Sequence, residues 1–129
     1  MLVLKVFLAC LALHFFSDFT LQGLLAQLKC QDWWKKNYPE PLYRNDWLCG
    51  LIEHAVYWVL VTAAPIIWLW RGGAFALVFL LATQAALHAW IDHWKANKHD
   101  MSLSLDQILH VVQIGVIVSV WYGTWRAAL

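Results

Sequence analysis

The sequence predicts an all-α protein: a membrane-embedded four-helix bundle with an interfacial segment between helices 1 and 2. Three observations carry that expectation. Of 129 residues, 62% are hydrophobic and 13% charged, against roughly 25% charged in an ordinary soluble domain. Four apolar stretches have the length of membrane spans, about 20 residues each. Ten tryptophans are too many for a small soluble core and suit the two membrane–water interfaces. A net charge of +1 supplies no global field that would draw nucleic acid. The expected partners are the lipid bilayer and anionic phospholipid headgroups near the basic loops.

The chain reads as one membrane domain, residues 1–129. The first span runs from about Leu2 to Leu28, interrupted by His14, Ser17, Asp18, Thr20 and Gln22. It effectively ends near Gln22-Gly23. Leu24 to Asn37 then lie along the interface, because Leu24, Leu25, Leu28, Trp33 and Trp34 are interspersed with Gln27, Lys29, Lys35 and Lys36. The second span covers about Trp47 to Trp70, with Asp46 as its N-cap. Arg71-Gly72-Gly73 is a tight turn in which glycine supplies positive φ. The third span runs from about Ala74 to Trp94 and the fourth from about Leu105 to Trp125. Short connectors make neighbouring helices antiparallel. Leu8-Ala9-Cys10 faintly resembles a lipoprotein cleavage box, but the leading segment is too short and the apolar run continues past it, so the first span is expected in the mature protein. Cys10, Cys30 and Cys49 form no metal-thiolate pattern and read as free thiols. Trp58 and Trp90 are expected inside the bundle, while Trp33, Trp34, Trp47, Trp68, Trp70, Trp94, Trp121 and Trp125 form the interfacial belts.

Lys and Arg set the orientation. Lys29, Lys35, Lys36, Arg44, Lys95 and Lys98 fall on the side of the longer loops, against Lys5, Arg71 and Arg126 on the other. The positive-inside rule places both longer loops in the cytoplasm and both termini outside.

The informative residues are the ionisable ones within the spans, where each costs roughly 2.5–3.5 kcal/mol at mid-bilayer. His14 and Asp18, His88 and Asp92, and Asp106 and His110 are pairs one helical turn apart, each on one helix face. His54 stands beside Glu53. At 1.5 Å per residue, His88 lies about 10 Å inside Lys95, His54 about 10 Å inside Trp47, and His110 about 9 Å inside Ser104. Ending helix 1 near Gln22 places His14 about 12 Å in. Four helices therefore bring their histidines to a common depth.

The strings His14-x-x-x-Asp18-Phe19-x-x-Gln22, a lone histidine in the second span, His88-x-x-x-Asp92-x-x-Lys95 and Asp106-Gln107-x-x-His110 resemble a bacterial and phage membrane-protein family designated domain of unknown function 3307. The resemblance extends from about Leu4 to Val120. It implies a small polytopic membrane protein with a His/Asp site, and carries no activity; the expected location is the bacterial inner membrane.

Imidazole and carboxylate together suit zinc, manganese or iron. The metal-ligand candidates are His14, Asp18, His54, His88, Asp92, Asp106 and His110, more than one zinc takes, so either two metals bind or some carboxylates orient histidines. Gln22, Lys95, Gln107 and Glu53 are expected behind the ligands or against substrate. Lys95 is aligned with His88 and Asp92, so it is either a snorkelling anchor, as Lys29 and Lys98 are read, or a phosphate-binding group. Ser104-x-x-Gln107 also reads as a capping box, the better reading for Gln107. His99 lies in a polar loop and is expected to be solvated. The most natural chemistry is metal-dependent hydrolysis of a phospho- or lipid-linked substrate. The alternative is a non-enzymatic membrane protein, a proton or ion pathway or a structural partner, using the same residues as a polar network. No Gly-rich phosphate loop, Ser/His/Asp pattern or HExxH helix points to another enzyme class.

Overall fold

Long runs of helix-forming apolar residues fold as expected. In a computed structural model, which describes residues 1–21 and 23–129, the described residues form seven α-helices and no β-strand. They are α1 (Leu2–Phe16), α2 (Leu25–Leu28), α3 (Gln31–Asn37), α4 (Asp46–Thr62), α5 (Ala64–Leu69), α6 (Ala74–His93) and α7 (Leu103–Ala127). Two are prolonged by wider π-turns, α1 over Ser17–Leu21 and α6 over Trp94–Lys98. Three helical stretches are long and apolar enough to cross a membrane: Leu2–Leu21, Ala74–Lys98 and Leu103–Ala127.

The stretch expected as one second span is two helices. Pro65 lacks an N–H and its ring collides with the carbonyl four residues back, so α4 stops at Thr62 and α5 restarts with proline in its first turn. Helix α4 packs along α6, α6 meets α7, α7 meets α1, and α1 closes the circuit on α4 and α5. Val6, Cys10, Trp58, Val59, Ile66, Ile114, Ile117 and Trp121 fill the apolar part of the interior. Leu4, Leu8, Leu60, Val78, Phe79, Ile108 and Val112 face outward. Titratable side chains point in while large apolar ones point out, the reverse of a water-soluble domain.

Several local expectations need correction. Trp121 is fully buried rather than interfacial, because it continues the inward stripe Ile114–Ile117–Val118 of α7. Trp90 is 59% exposed rather than internal, since two residues from His88 places it on another face. The connection at Arg71-Gly72-Gly73 needs no positive φ. The only glycine with positive φ among the described residues is Gly23, at +46°, where the chain leaves the first long helix. Asn45 occupies the N-cap of α4 and Asp46 is its first helical residue, where its charge still complements the helix dipole. Ser102, not Ser104, caps α7, its hydroxyl accepting from the Leu105 N–H at 3.2 Å. All three cysteines are free thiols, as expected.

The segment after Gly23 forms α2 and α3, and Asn97 and Gly50 are among the residues that hold it. The Asn97 amide accepts from the Gln31 N–H at 2.7 Å and donates to the Lys29 carbonyl at 3.1 Å, tying the α2–α3 link to the end of α6. Leu28 lies on Gly50 so closely that a Cβ there would meet the Leu28 carbonyl oxygen at 2.5 Å. This seat is what carries Lys29 inward.

Candidate metal centre

Helical periodicity delivers the site. His14 lies on α1 and Asp18 on the π-turn that follows, His54 on α4, His88 and Asp92 on α6, Asp106 and His110 on α7. The four histidines are buried, as are Asp92 and Asp106. Their rings form a chain: His54 to His88 at 5.2 Å, His88 to His110 at 4.4 Å, His110 to His14 at 5.5 Å between centroids. The fold brings the four histidines together with Asp92 and Asp106, and Asp18 stands at the edge beside His14, 3.6 Å from its Nδ1.

Asp92 is its centre. Its Oδ2 lies 2.9 Å from His54 Nε2 and 3.6 Å from His88 Nε2, and those two nitrogens are 3.2 Å apart. Its other oxygen, Oδ1, lies 3.5 Å from His110 Nε2, which is 3.4 Å from Asp106 Oδ1. Ligands about 2.0–2.1 Å from a tetrahedral metal are about 3.3–3.4 Å from one another. The spacings cluster around that value. Two sets of ligand atoms can each hold a metal ion, His54/His88/Asp92 and Asp92/Asp106/His110, with the atoms of each set within 4.8 Å of one another. The donors are the Nε2 atoms of His54, His88 and His110 and the carboxylate oxygens of Asp92 and Asp106. Of these, Asp106 Oδ1 is buried without a hydrogen-bond partner among the described residues. Imidazole nitrogens and carboxylate oxygens suit zinc, manganese or iron alike.

Each set carries an ammonium on its carboxylate. Lys29 Nζ donates to Asp92 Oδ2 at 2.6 Å and lies 3.2 Å from His54 Nε2. Lys95 Nζ donates to Asp106 Oδ2 at 2.5 Å. Lys29 is only 9% exposed, so it is not the snorkelling anchor its flanking Leu28 and Cys30 suggest. It is the site residue that sequence reasoning missed. The missing signal was tertiary, the seat on Gly50 that pulls α2 inward.

His14 and Asp18 border the cluster without belonging to either set. The Trp58 indole N–H donates to His14 Nδ1 at 3.0 Å, and His14 Nε2 lies 3.1 Å from Gln107 Oε1. With Nδ1 accepting, the neutral ring carries its proton on Nε2 and donates to Gln107. The Gln107 amide N–H then donates to Asp106 Oδ2 at 3.1 Å and Asp18 Oδ2 at 3.3 Å. Gln107 is thus a strut between α1 and α7, not a capping residue. Glu53 is exposed and points away from the cluster. Gln22 lies outside the described residues. His99 is exposed as expected, within 3.3 Å of Asp32.

Outside the spans, the hydrogen bond from Lys35, seconded by that from His99, holds the fully exposed Asp32 carboxyl below its usual range. Burial pushes the Cys30 thiol up.

One turn deeper lie the side chains of Thr62, Gln84 and Gln113, around a cavity of about 10 Å³ that also touches Trp58 and Ile117. Past them the buried residues are apolar: Val6, Ile66, Leu80, Val118 and Trp121. The buried polar groups therefore occupy only the half of the long helices nearer Lys29 and Lys95.

No family model, no curated protein and no solved structure matches the chain.

Proposed function

We propose that this chain is an integral membrane protein whose second span, α4 with α5, joins the three long helices in a four-helix bundle around a two-metal site. Asp92 would offer one oxygen to each ligand set, and the bound metals would supply the chemistry for hydrolysis of a phospho- or lipid-linked substrate. The observation that carries the reading is that the two oxygens of one carboxylate face two different ligand sets. Bound divalent metal would lower the pKa of a coordinated water towards about 7 and polarise the attacked bond. The protein's own part is to hold the donors. Asp92 joins the halves, His54 and His88 complete one, and His110 and Asp106 complete the other. His14, fixed by Trp58, orients Gln107 against Asp106, the kind of outer support whose loss costs roughly 10–100-fold in metal affinity.

Zinc, manganese or iron binding by the purified protein tests this. His88→Ala and His110→Ala should each remove at least one of two metal equivalents while circular dichroism keeps its helical signal, because the apolar faces pack the helices. Unchanged metal content in both variants would overturn the assignment.

A non-enzymatic polar network is the second reading. It is favoured by the Lys29–Asp92 and Lys95–Asp106 pairs, which give each carboxylate a counter-charge without metal. In that case the same two variants should change no metal content and lower thermal stability instead. The apolar interior beyond Thr62, Gln84 and Gln113 speaks against a proton or ion pathway running through the bundle.

The Lys/Arg asymmetry supports an orientation in the bacterial inner membrane with Asn37 and Asn97 cytoplasmic and the termini external. Reporter fusions at Asn37 and Asn97 should behave as cytoplasmic and a fusion after Leu129 as external; the opposite pattern would invert the topology. The resemblance to the domain of unknown function 3307 family rests on the four motifs alone.

A further inference from the structure

We infer that Lys29 and Lys95 form a phosphate-binding pair, so that the ligand received beside the metals is a phosphate monoester or inorganic phosphate. The inference rests on the two-metal reading and adds the class of its substrate. Charge is the first argument. Asp18, Asp92 and Asp106 against Lys29 and Lys95 leave one net negative charge in the cluster with neutral imidazoles. Two divalent cations would turn this into three net positive charges in a low-dielectric interior, where uncompensated charge is expensive. A metal-loaded site therefore calls for an anion.

Geometry is the second argument. Each ammonium now donates to a carboxylate that belongs to a ligand set, Lys29 to Asp92 and Lys95 to Asp106. Asp92 Oδ2, which faces His54 and His88, is also the acceptor of Lys29 and would give up that contact on turning to a metal. Lys95, by contrast, holds Asp106 through Oδ2 and leaves Oδ1 to the ligand set. Either ammonium would stand beside a metal with donors to spare. The two lysines come from different segments, the α2–α3 link and the π-turn after α6, and meet different halves of the site. Hydroxide or a carboxylate has one or two oxygens for these four cationic groups. A phosphate has three or four, and lysine serves phosphate as a point charge.

The test uses the full chain in detergent, loaded with manganese. It is titrated with inorganic phosphate and, separately, with short-chain phosphatidic acid, reading paramagnetic relaxation of the phosphorus nucleus. Saturable enhancement is expected with at least one probe, and the probe that saturates first tells a soluble from a lipid source. By linkage, phosphate should also tighten manganese binding by the same factor that manganese tightens phosphate binding. Lys29→Gln and Lys95→Gln should each weaken phosphate binding by about tenfold or more while keeping wild-type manganese content, and Lys29→Arg should recover part of the loss. If manganese binds but neither probe shows saturable enhancement, or both glutamine variants bind phosphate like the wild type, the phosphate site is overturned and the metal reading stands. If the wild type binds no manganese, zinc or iron, the metal reading falls and takes this inference with it. Should a lysine variant fail to fold, the wild-type titration alone still decides.

Discussion

Asp92→Asn is expected to remove metal from both halves of the site at once, leaving about a tenth or less of the wild-type content. No other described residue offers an oxygen to each ligand set. The same change should also destabilise the apo protein, because the Lys29 ammonium, 2.6 Å from Asp92 Oδ2 and largely buried, loses its counter-charge. Breaking one partner of a buried ion pair typically costs about 3–5 kcal/mol. The two effects separate in Asp92→Asn with Lys29→Met. Thermal stability should return towards wild type in the double variant, whereas metal should not. Metal retained in Asp92→Asn would show that the carboxylate is not the shared ligand. Stability unchanged by Asp92→Asn would show that the Lys29 contact is not formed.

The second large effect is expected far from any ligand. A Cβ at Gly50 would sit 2.5 Å from the Leu28 carbonyl oxygen and 2.6 Å from its carbon. These are backbone atoms that no rotamer change can move. Gly50→Ala should therefore push α2 away from α4, at a cost of about 1–3 kcal/mol, and draw Lys29, the next residue, off Asp92. The variant should melt lower in detergent yet keep its metal, since no donor is touched. Gly115→Ala is the control, because nothing lies within 4 Å of the added methyl. If Gly50→Ala melts with the wild type, the seat of Leu28 on Gly50 is not what positions Lys29.

Most of the site could be read from spacing because its residues sit on helices. A period of 3.6 residues puts His88 over Asp92 and Asp106 over His110 whatever the rest of the chain does. Common depth then follows from 1.5 Å per residue. What could not be read depends on contacts between distant segments. Lys29 looks like an anchor until Leu28 is seated on Gly50 and Asn97 clamps the Lys29 carbonyl. Gln107 satisfies a capping pattern, but Ser102 caps the helix and releases it to bridge His14, Asp18 and Asp106. Trp58 and Trp90 resemble each other in sequence context, yet only Trp58 lies on the inward face of its helix. The break at Ala63 was legible in Pro65, and the hydropathy of the surrounding stretch masked it. Similarly, His14 carries the same i, i+4 pattern as His88, but Trp58 and Gln107 already engage both of its ring nitrogens.

The ratio of metal to protein tests most directly whether the His/Asp cluster binds metal. Wild-type protein, purified in detergent without chelator and then incubated with zinc, manganese and iron in turn, should retain close to two equivalents of at least one of them by elemental analysis. Protein that remains metal-free after all three incubations would contradict the account.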